Sequence, residues 1–312
     1  MTKIKDIQEK ERLKQPMLIK SLIKGVTQKG SAYASITLQD STGVIEGKLW
    51  DLTAEQEALI AVGTVQEVSC EILRYNNVLQ AKIHQVTPVE EGSVDMDDFL
   101  ISSKLSEEEL RKEIESVIAS IKNQHYKAIL EELMKEFGER FYQYPAATKN
   151  HHCFLRGLAT HVLGMLKIAE QLCILYPQLS RDLLVSGIIA HDLGKTIELS
   201  GASSPEYTIE GKLTGHISIM HGKIMEIAQR CGCEESEEAI LLRHCVLSHH
   251  GQYEYGSPVL PQIQEAEVLS FIDNLDARLN TLESALDGVE EGSFTPRIYA
   301  MEQRSFYKPK SK

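Results

Sequence analysis

The sequence is short of the features that mark secreted, membrane-embedded or duplex-coating proteins. Its six cysteines, at positions 70, 153, 173, 231, 233 and 245, form no CxxC pair and no tight framework. A disulfide scaffold is therefore excluded, and reduced thiols of a cytoplasmic protein are expected. The chain reads as having no 18-residue apolar span, and Met1-Thr2-Lys3-Ile4-Lys5 opens no charged-then-apolar leader. No passage through a membrane is expected. Positive charge is scarce as well. Residues 1–89 carry 11 Lys+Arg against 10 Asp+Glu, and the remainder carries 22 against 35, for a net charge of −12. A protein that only grips duplex nucleic acid is basic overall. Any hold on nucleic acid here must be local, through base stacking and a few cations. Internal repeats are absent, and tryptophan occurs once, at position 50.

What is present divides the chain. At 312 residues, with 42% hydrophobic and 25% charged residues, it is a globular sequence long enough for two domains. Residues 4–14 are a charged lead with a helical look. From Met17 to Thr27 the residues are strand formers. Tyr33–Asp40 and Val44–Trp50 each alternate with period two around the turn Asp40-Ser41-Thr42-Gly43. Thr53 is a plausible cap for a short helix over 53–60. Two further strands, 65–73 and 78–86, meet at a turn on Asn76-Asn77. Three strands, a helix and two strands in this order predict a small all-β OB-fold barrel over residues 1–89. Its binding face would present Tyr33, Lys48, Trp50, Arg74 and Tyr75 to single-stranded nucleic acid.

Residues 90–140 read as an acidic linker, rich in Glu and Asp to about 105, followed by connecting helices that begin at Ser106 and near His125. These are packing helices. They also leave room for a homo-oligomer. Residues 141–290 carry apolar residues at helical spacing and nine of the eleven histidines, which predicts an all-α bundle. Residues 291–312 form a basic tail expected to be loose. The segment from Glu198 to Gly211 is polar and contains Gly and Pro, as a rim loop would.

The bundle is organised around Ile188-Ile189-Ala190-His191-Asp192-Leu193-Gly194-Lys195. An adjacent imidazole and carboxylate at the inner end of an apolar helix need a partner, since a buried charge is costly unless it is paired or metal-bound. Such donors suit a divalent transition metal. Candidate companions are His161, His216, His249, His250 and Asp273, one from each of several helices, which is how bundles build metal sites. His125, His221 and His244 read as satisfied structural histidines.

The order His, His-Asp, His, His-His, Asp over about a hundred residues resembles the HD superfamily of metal-dependent phosphohydrolases. The resemblance implies two metals, with Asp192 bridging. His161, His191 and Asp273 would complete one set, and His216, His249 and His250 the other. His216 is preferred to His221 because Gly215-His216 follows a loop, as in HD relatives. Lys195 would neutralise charge on phosphate oxygens, with Asn274 and Asp276 supporting the ligands. Leu155-Arg156-Gly157-Leu158 departs from the two glycines of many relatives, so Arg156 is a candidate phosphate contact, as are His151 and His152. Manganese leads the implied metals, with Fe, Co, Ni, Mg or Zn also compatible with these donors.

An OB-fold, a helical linker and an HD domain with the lead-in Asn150-His151-His152 closely resemble the YhaM family of bacterial 3'-5' exoribonucleases. That resemblance implies hydrolysis of single-stranded RNA, with single-stranded DNA as a second polymer, from the 3' end to nucleoside 5'-monophosphates. Two other functions stay open on the residues alone. One is a phosphohydrolase of a small nucleotide with the barrel as an accessory module. The other is a non-catalytic nucleic-acid-binding protein.

Overall fold

The alternation of apolar and polar residues over 17–50 builds a barrel, because every second side chain of a strand must find the same interior. A computed structural model describes residues 1–27, 30–75, 78–90, 93–147, 154–201, 205–287 and 289–310. They form two compact units, Met1–Ser102 and Ser103–Lys312.

In the first unit, strands β1 (Arg12–Val26), β2 (Ala32–Asp40), β3 (Gly43–Trp50), β4 (Val65–Tyr75) and β5 (Val78–Pro88) close into a barrel in the order β1-β2-β3-β5-β4. A short helix, α1 (Ala54–Leu59), stands between β3 and β4 under a capping box of Thr53 and Gln56. This is the five-stranded OB architecture. Ala34, Ile36 and Leu38 of β2 and Leu49 of β3 point inward and are buried. Their neighbours Tyr33, Ser35 and Lys48 face outward in register, with Tyr33 opposite Trp50 and Ser35 opposite Lys48. The β2–β3 turn is held by Asp40, whose Oδ1 accepts from Thr42 N at 2.7 Å and whose Oδ2 accepts from Ile4 N at 2.7 Å. The turn expected on Asn76-Asn77 lies outside the described residues.

Two expectations are corrected here. The lead over 4–14 is not a helix beyond the single 3-10 turn Ile4–Asp6, and β1 already begins at Arg12. Its Leu13 is buried in the barrel, and its backbone pairs with β4, so sheet pairing overrides the local charge pattern. The acidic stretch after β5 also does more than link. Phe99 is buried, Gln39 Nε2 donates to its carbonyl at 3.0 Å, and Ser41 N donates to Asp98 O at 3.0 Å.

In the second unit, α2 (Glu107–Ser120), α3 (Gln124–Phe141), α4 (Gly157–Leu175), α5 (Arg181–Ala190), α6 (Lys195–Glu198), α7 (Ile209–Arg230), α8 (Glu237–Ser248) and α9 (Gln264–Asp287) share one core. Leu110, Ile114, Ile129 and Leu133 of α2 and α3 belong to that core. These two helices are therefore part of the bundle. Helix α5 is buried along its length from Leu183 to Ala190, which is what an apolar pattern on all sides requires. Helix α4 is long and apolar enough to cross a membrane by length and composition, contrary to the expectation of no such span. It lies in the core through Leu158, Val162, Met165 and Leu166. The tail is not loose. Phe294 bridges to Tyr307 and Ile298 to Arg304, and Met301 is buried.

Candidate metal centre

Helix α5 ends inside the bundle, and its last turn delivers His191 and Asp192 to a buried place. His161 comes from α4, His216 from α7, His249 and His250 from the end of α8, and Asp273 from α9. His161, His191 and His249 are fully buried, and Asp192 is nearly so. Two glycines make the convergence possible. A Cβ on Gly194 would meet the His216 carbonyl oxygen at 2.3 Å, so only glycine lets α7 close onto the His-Asp turn. Gly215 breaks α7 with φ +70, a backbone that side chains other than glycine rarely adopt. The break swings His216 into the cluster.

The ligand atoms fall into overlapping sets. His161, His191 and Asp273 offer donor atoms within 4.8 Å of one another, as do His216, His249 and His250, and as do His191, Asp192 and His249. Asp192 lies between them. Its Oδ2 is 3.3 Å from His191 Nε2, while its Oδ1 is 3.4 Å from His216 Nε2 and 3.7 Å from His249 Nε2. Oδ2 thus faces His191, and Oδ1 faces His216 and His249. Lys195 Nζ donates to Oδ2 at 2.7 Å. Burial resists the charge on Asp192, but Lys195, His191 and His216 outweigh it and hold the carboxyl well below its usual range.

All five histidines are anchored by the nitrogen that faces away. His191 Nδ1 donates to Ile188 O at 2.7 Å, His249 Nδ1 to Val246 O at 2.7 Å, and His250 Nδ1 to Tyr255 O at 2.6 Å. A carbonyl cannot donate, so these three rings carry hydrogen on Nδ1, which leaves Nε2 as the atom that can offer a lone pair inward. His161 Nδ1 meets Asp276 Oδ2 at 2.7 Å, and His216 Nδ1 meets Glu198 Oε1 at 3.1 Å. Histidine with its outer nitrogen on a carbonyl or carboxylate is the usual arrangement of a metal ligand.

The inner atoms then lack partners. Nε2 of His191, His216 and His249 and Oδ1 of Asp192 are buried with no hydrogen bond among the described residues. Leaving one such atom unmet costs about 1–3 kcal/mol, so four gathered around Asp192 call for a ligand. Protons suit this place poorly. Burial, with His250 and His191 nearby, holds His249 well below the usual imidazole range. His161 is the exception. Burial opposes its charge, yet Asp273 Oδ1 at 3.1 Å from Nε2 and Asp276 on Nδ1 lift it to about 9. That end of the cluster demands positive charge. Neutral imidazoles and carboxylates with these lone pairs inward fit a divalent cation, and the cluster is consistent with divalent metal binding.

The remaining sequence candidates are placed as follows. His221 accepts from Arg243 Nη2 at 2.8 Å and stands outside the cluster, and His244 Nε2 accepts from Gln262 N at 2.9 Å. His125 pairs with Glu238 at 3.1 Å. Arg156 caps α4 with a left-handed backbone, φ +66, and does not line the cavity beside the cluster. His151 and His152 lie outside the described residues. Asn274 and Lys195 do line that cavity, of about 610 Å³. In the sequence Glu198 opens a polar stretch that suggests only a rim. It is buried, and it accepts from both the backbone N and the Nδ1 of His216 at 3.1 Å.

On the barrel, Tyr33 and Trp50 rings lie 5.2 Å apart, with Lys48 Nζ 5.0 Å from the Tyr33 ring centre. Trp50 is 46% exposed, so these three form an outward stacking patch. Arg74 and Tyr75 do not join it. Lys48 pairs with Lys82 while Tyr75 pairs with Val78, four residues back along β5, or about 13 Å at the usual strand rise. Arg74 is also bound to Glu9 at 3.1 Å.

Residues 158–278 match the model of the HD domain. The 3'-5' exoribonuclease YhaM of Geobacillus sp. (strain WCH70) is 47% identical over 94% of this chain and 90% of its own length. That of Bacillus subtilis (strain 168) is 44% identical over 96% of this chain and 95% of its own. At this identity and coverage, with a closed OB-like barrel ahead of the HD domain, the chain belongs to the YhaM exoribonuclease family.

Proposed function

We propose that this chain is a divalent-metal-dependent 3'-5' exoribonuclease that hydrolyses single-stranded RNA to nucleoside 5'-monophosphates, with single-stranded DNA as a second polymer to test. The observation that carries the reading is the convergence of buried imidazole nitrogens on Asp192, each ring anchored from behind. RNA and the direction of attack come from the relatives' name.

We assign two ions to the cluster, manganese first, one held by His161, His191 and Asp273, the other by His216, His249 and His250, with Asp192 between. When bound, such ions supply an activated water at neutral pH and neutralise charge on a phosphate. The protein's own groups do the rest. Asp276 and Glu198 fix the rings of His161 and His216, so the inner nitrogens are set before substrate arrives. Lys195, bound to Asp192 and lining the cavity, stands where phosphate oxygens would gather charge in the transition state. A volume near 610 Å³ is that of a small-ligand pocket, which suits a strand end. The patch of Tyr33, Lys48 and Trp50 would hold the strand by stacking.

A time course with a 5'-labelled unstructured RNA and manganese, beside the same RNA blocked at its 3' end, tests the proposal. A ladder shortening from the 3' end, silenced by the block and by EDTA, is the expected result. An intact strand with turnover of free nucleotides would replace the proposal with a small-nucleotide phosphohydrolase.

A further inference from the structure

Arg278 of α9 lines the cavity beside the cluster and takes no part in holding the histidines. Among the described residues, the cavity lining carries two permanent cations, Lys195 and Arg278, against Asp192, Asp273 and Glu267. Lys195 is committed to Asp192. Among the described lining residues, Arg278 is therefore the cation that can meet a further anion. It lies one helical turn past Asn274 and, at the usual helical rise, about 7.5 Å along the axis from Asp273.

Its present partner is a carboxylate from the C-terminal hairpin. Arg278 Nη1 donates to Glu302 Oε1 at 2.9 Å and Nη2 to Oε2 at 3.2 Å. This fork-on-fork geometry is equally the geometry of guanidinium on the two free oxygens of a phosphodiester. The hairpin presents Glu302 at some cost, since Glu302 and Gln303 both have left-handed backbones, φ +51 and +57. Buried Met301 and the Ile298–Arg304 bridge secure the loop. The Glu302 side chain is 61% exposed and also accepts from Arg304 Nη2 at 2.5 Å, so it keeps a cation when an incoming anion takes Arg278.

We propose that Arg278 grips the phosphate neighbouring the scissile one, and that Glu302 occupies that place until a strand arrives. The proposal rests on the phosphodiesterase reading of the same cavity. It makes Arg278 a residue that distinguishes a strand from a lone phosphodiester.

The test compares a 5'-hydroxyl trinucleotide, which has a neighbouring phosphate, with a 5'-hydroxyl dinucleotide, which has none. Each is incubated with the full chain in manganese. Arg278→Gln should raise KM for the trinucleotide roughly 10- to 100-fold, the range for a hydrogen-bonded charge, and leave the dinucleotide KM and the bound metal unchanged. Arg278→Lys should fall between. Glu302→Gln should lower the trinucleotide KM about two- to fivefold, since an exposed pair is weak, and it keeps the question decidable if Arg278→Gln does not fold. Equal shifts on both substrates, no shift, or a higher KM in Glu302→Gln would overturn the proposal. Failure of the unaltered enzyme on both substrates would instead count against the exoribonuclease reading.

Discussion

Glu198→Ala tests whether the cluster is a metal site whose geometry is set from behind. Glu198 sits at the end of α6, buried, with Oε1 accepting from His216 N and Nδ1, each at 3.1 Å. Burial resists its charge, but the His216 hydrogen bond holds the carboxyl below its usual range, so it is an anion at neutral pH. Alanine removes the acceptor and frees the ring to turn away from Asp192. Loss of a supporting partner of a metal ligand typically weakens metal binding by about 10- to 100-fold. Glu198→Gln keeps an oxygen acceptor for both donors and should lose roughly threefold or less, because hydrogen bonding is retained where charge is not. Calorimetric titration of manganese into each metal-free variant measures this directly. Thermal unfolding in EDTA reports separately on folding. Unchanged manganese affinity in a folded Glu198→Ala protein would refute the reasoning, because the Glu198–His216 contact would then be structural only.

Asp192→Asn is expected to abolish cleavage while leaving RNA binding largely intact, read by filter binding in EDTA beside the cleavage assay; equal loss of both would refute the division of labour between barrel and cluster. The asparagine, unlike alanine, spares the buried Lys195 a complete loss of its partner. Trp50→Ala should weaken binding of unstructured RNA by about 1–3 kcal/mol and barely change the unfolding midpoint, because the ring is half exposed; unchanged binding would remove it from the interface. In EDTA the protein should be more stable at pH 6.5 than at pH 9. The His161 pKa is raised from 6.5 to about 9 by Asp273 and Asp276 against the effect of burial, so its contribution is full below 6.5 and lost as pH climbs through about 9. Manganese, taking the place of that proton, should flatten the trend in unfolding midpoint; a midpoint rising with pH in EDTA would contradict it.

The barrel was legible because period-two alternation has one physical cause, an interior on one side of each strand. Ala34, Ile36 and Leu38 obey it without exception. The cluster was legible because His191-Asp192 ends a helix apolar on every side, and because a remote acid, Asp273, recurs on another helix. Glu198 was not. It stands in a polar stretch, and its burial comes from the N-terminal part of α7 folding back over it, a contact with no local periodicity. Arg278 was missed although it sits four residues after Asn274 on the same face of α9. The tail was misread because its basic residues suggest solvent, whereas Met301 and the Phe294–Tyr307 bridge anchor it. Tyr75 shares β4 with the barrel core, but only the register showed that it stands away from Trp50.

Buried nitrogens around Asp192 are proposed to hold two divalent ions. An anomalous-scattering map from crystals grown with manganese would locate them. Two peaks are expected, one among His161, His191 and Asp273 and one among His216, His249 and His250, with Asp192 touching both. A map with no peak at Asp192, or with manganese held only at exposed carboxylates elsewhere, would contradict that assignment.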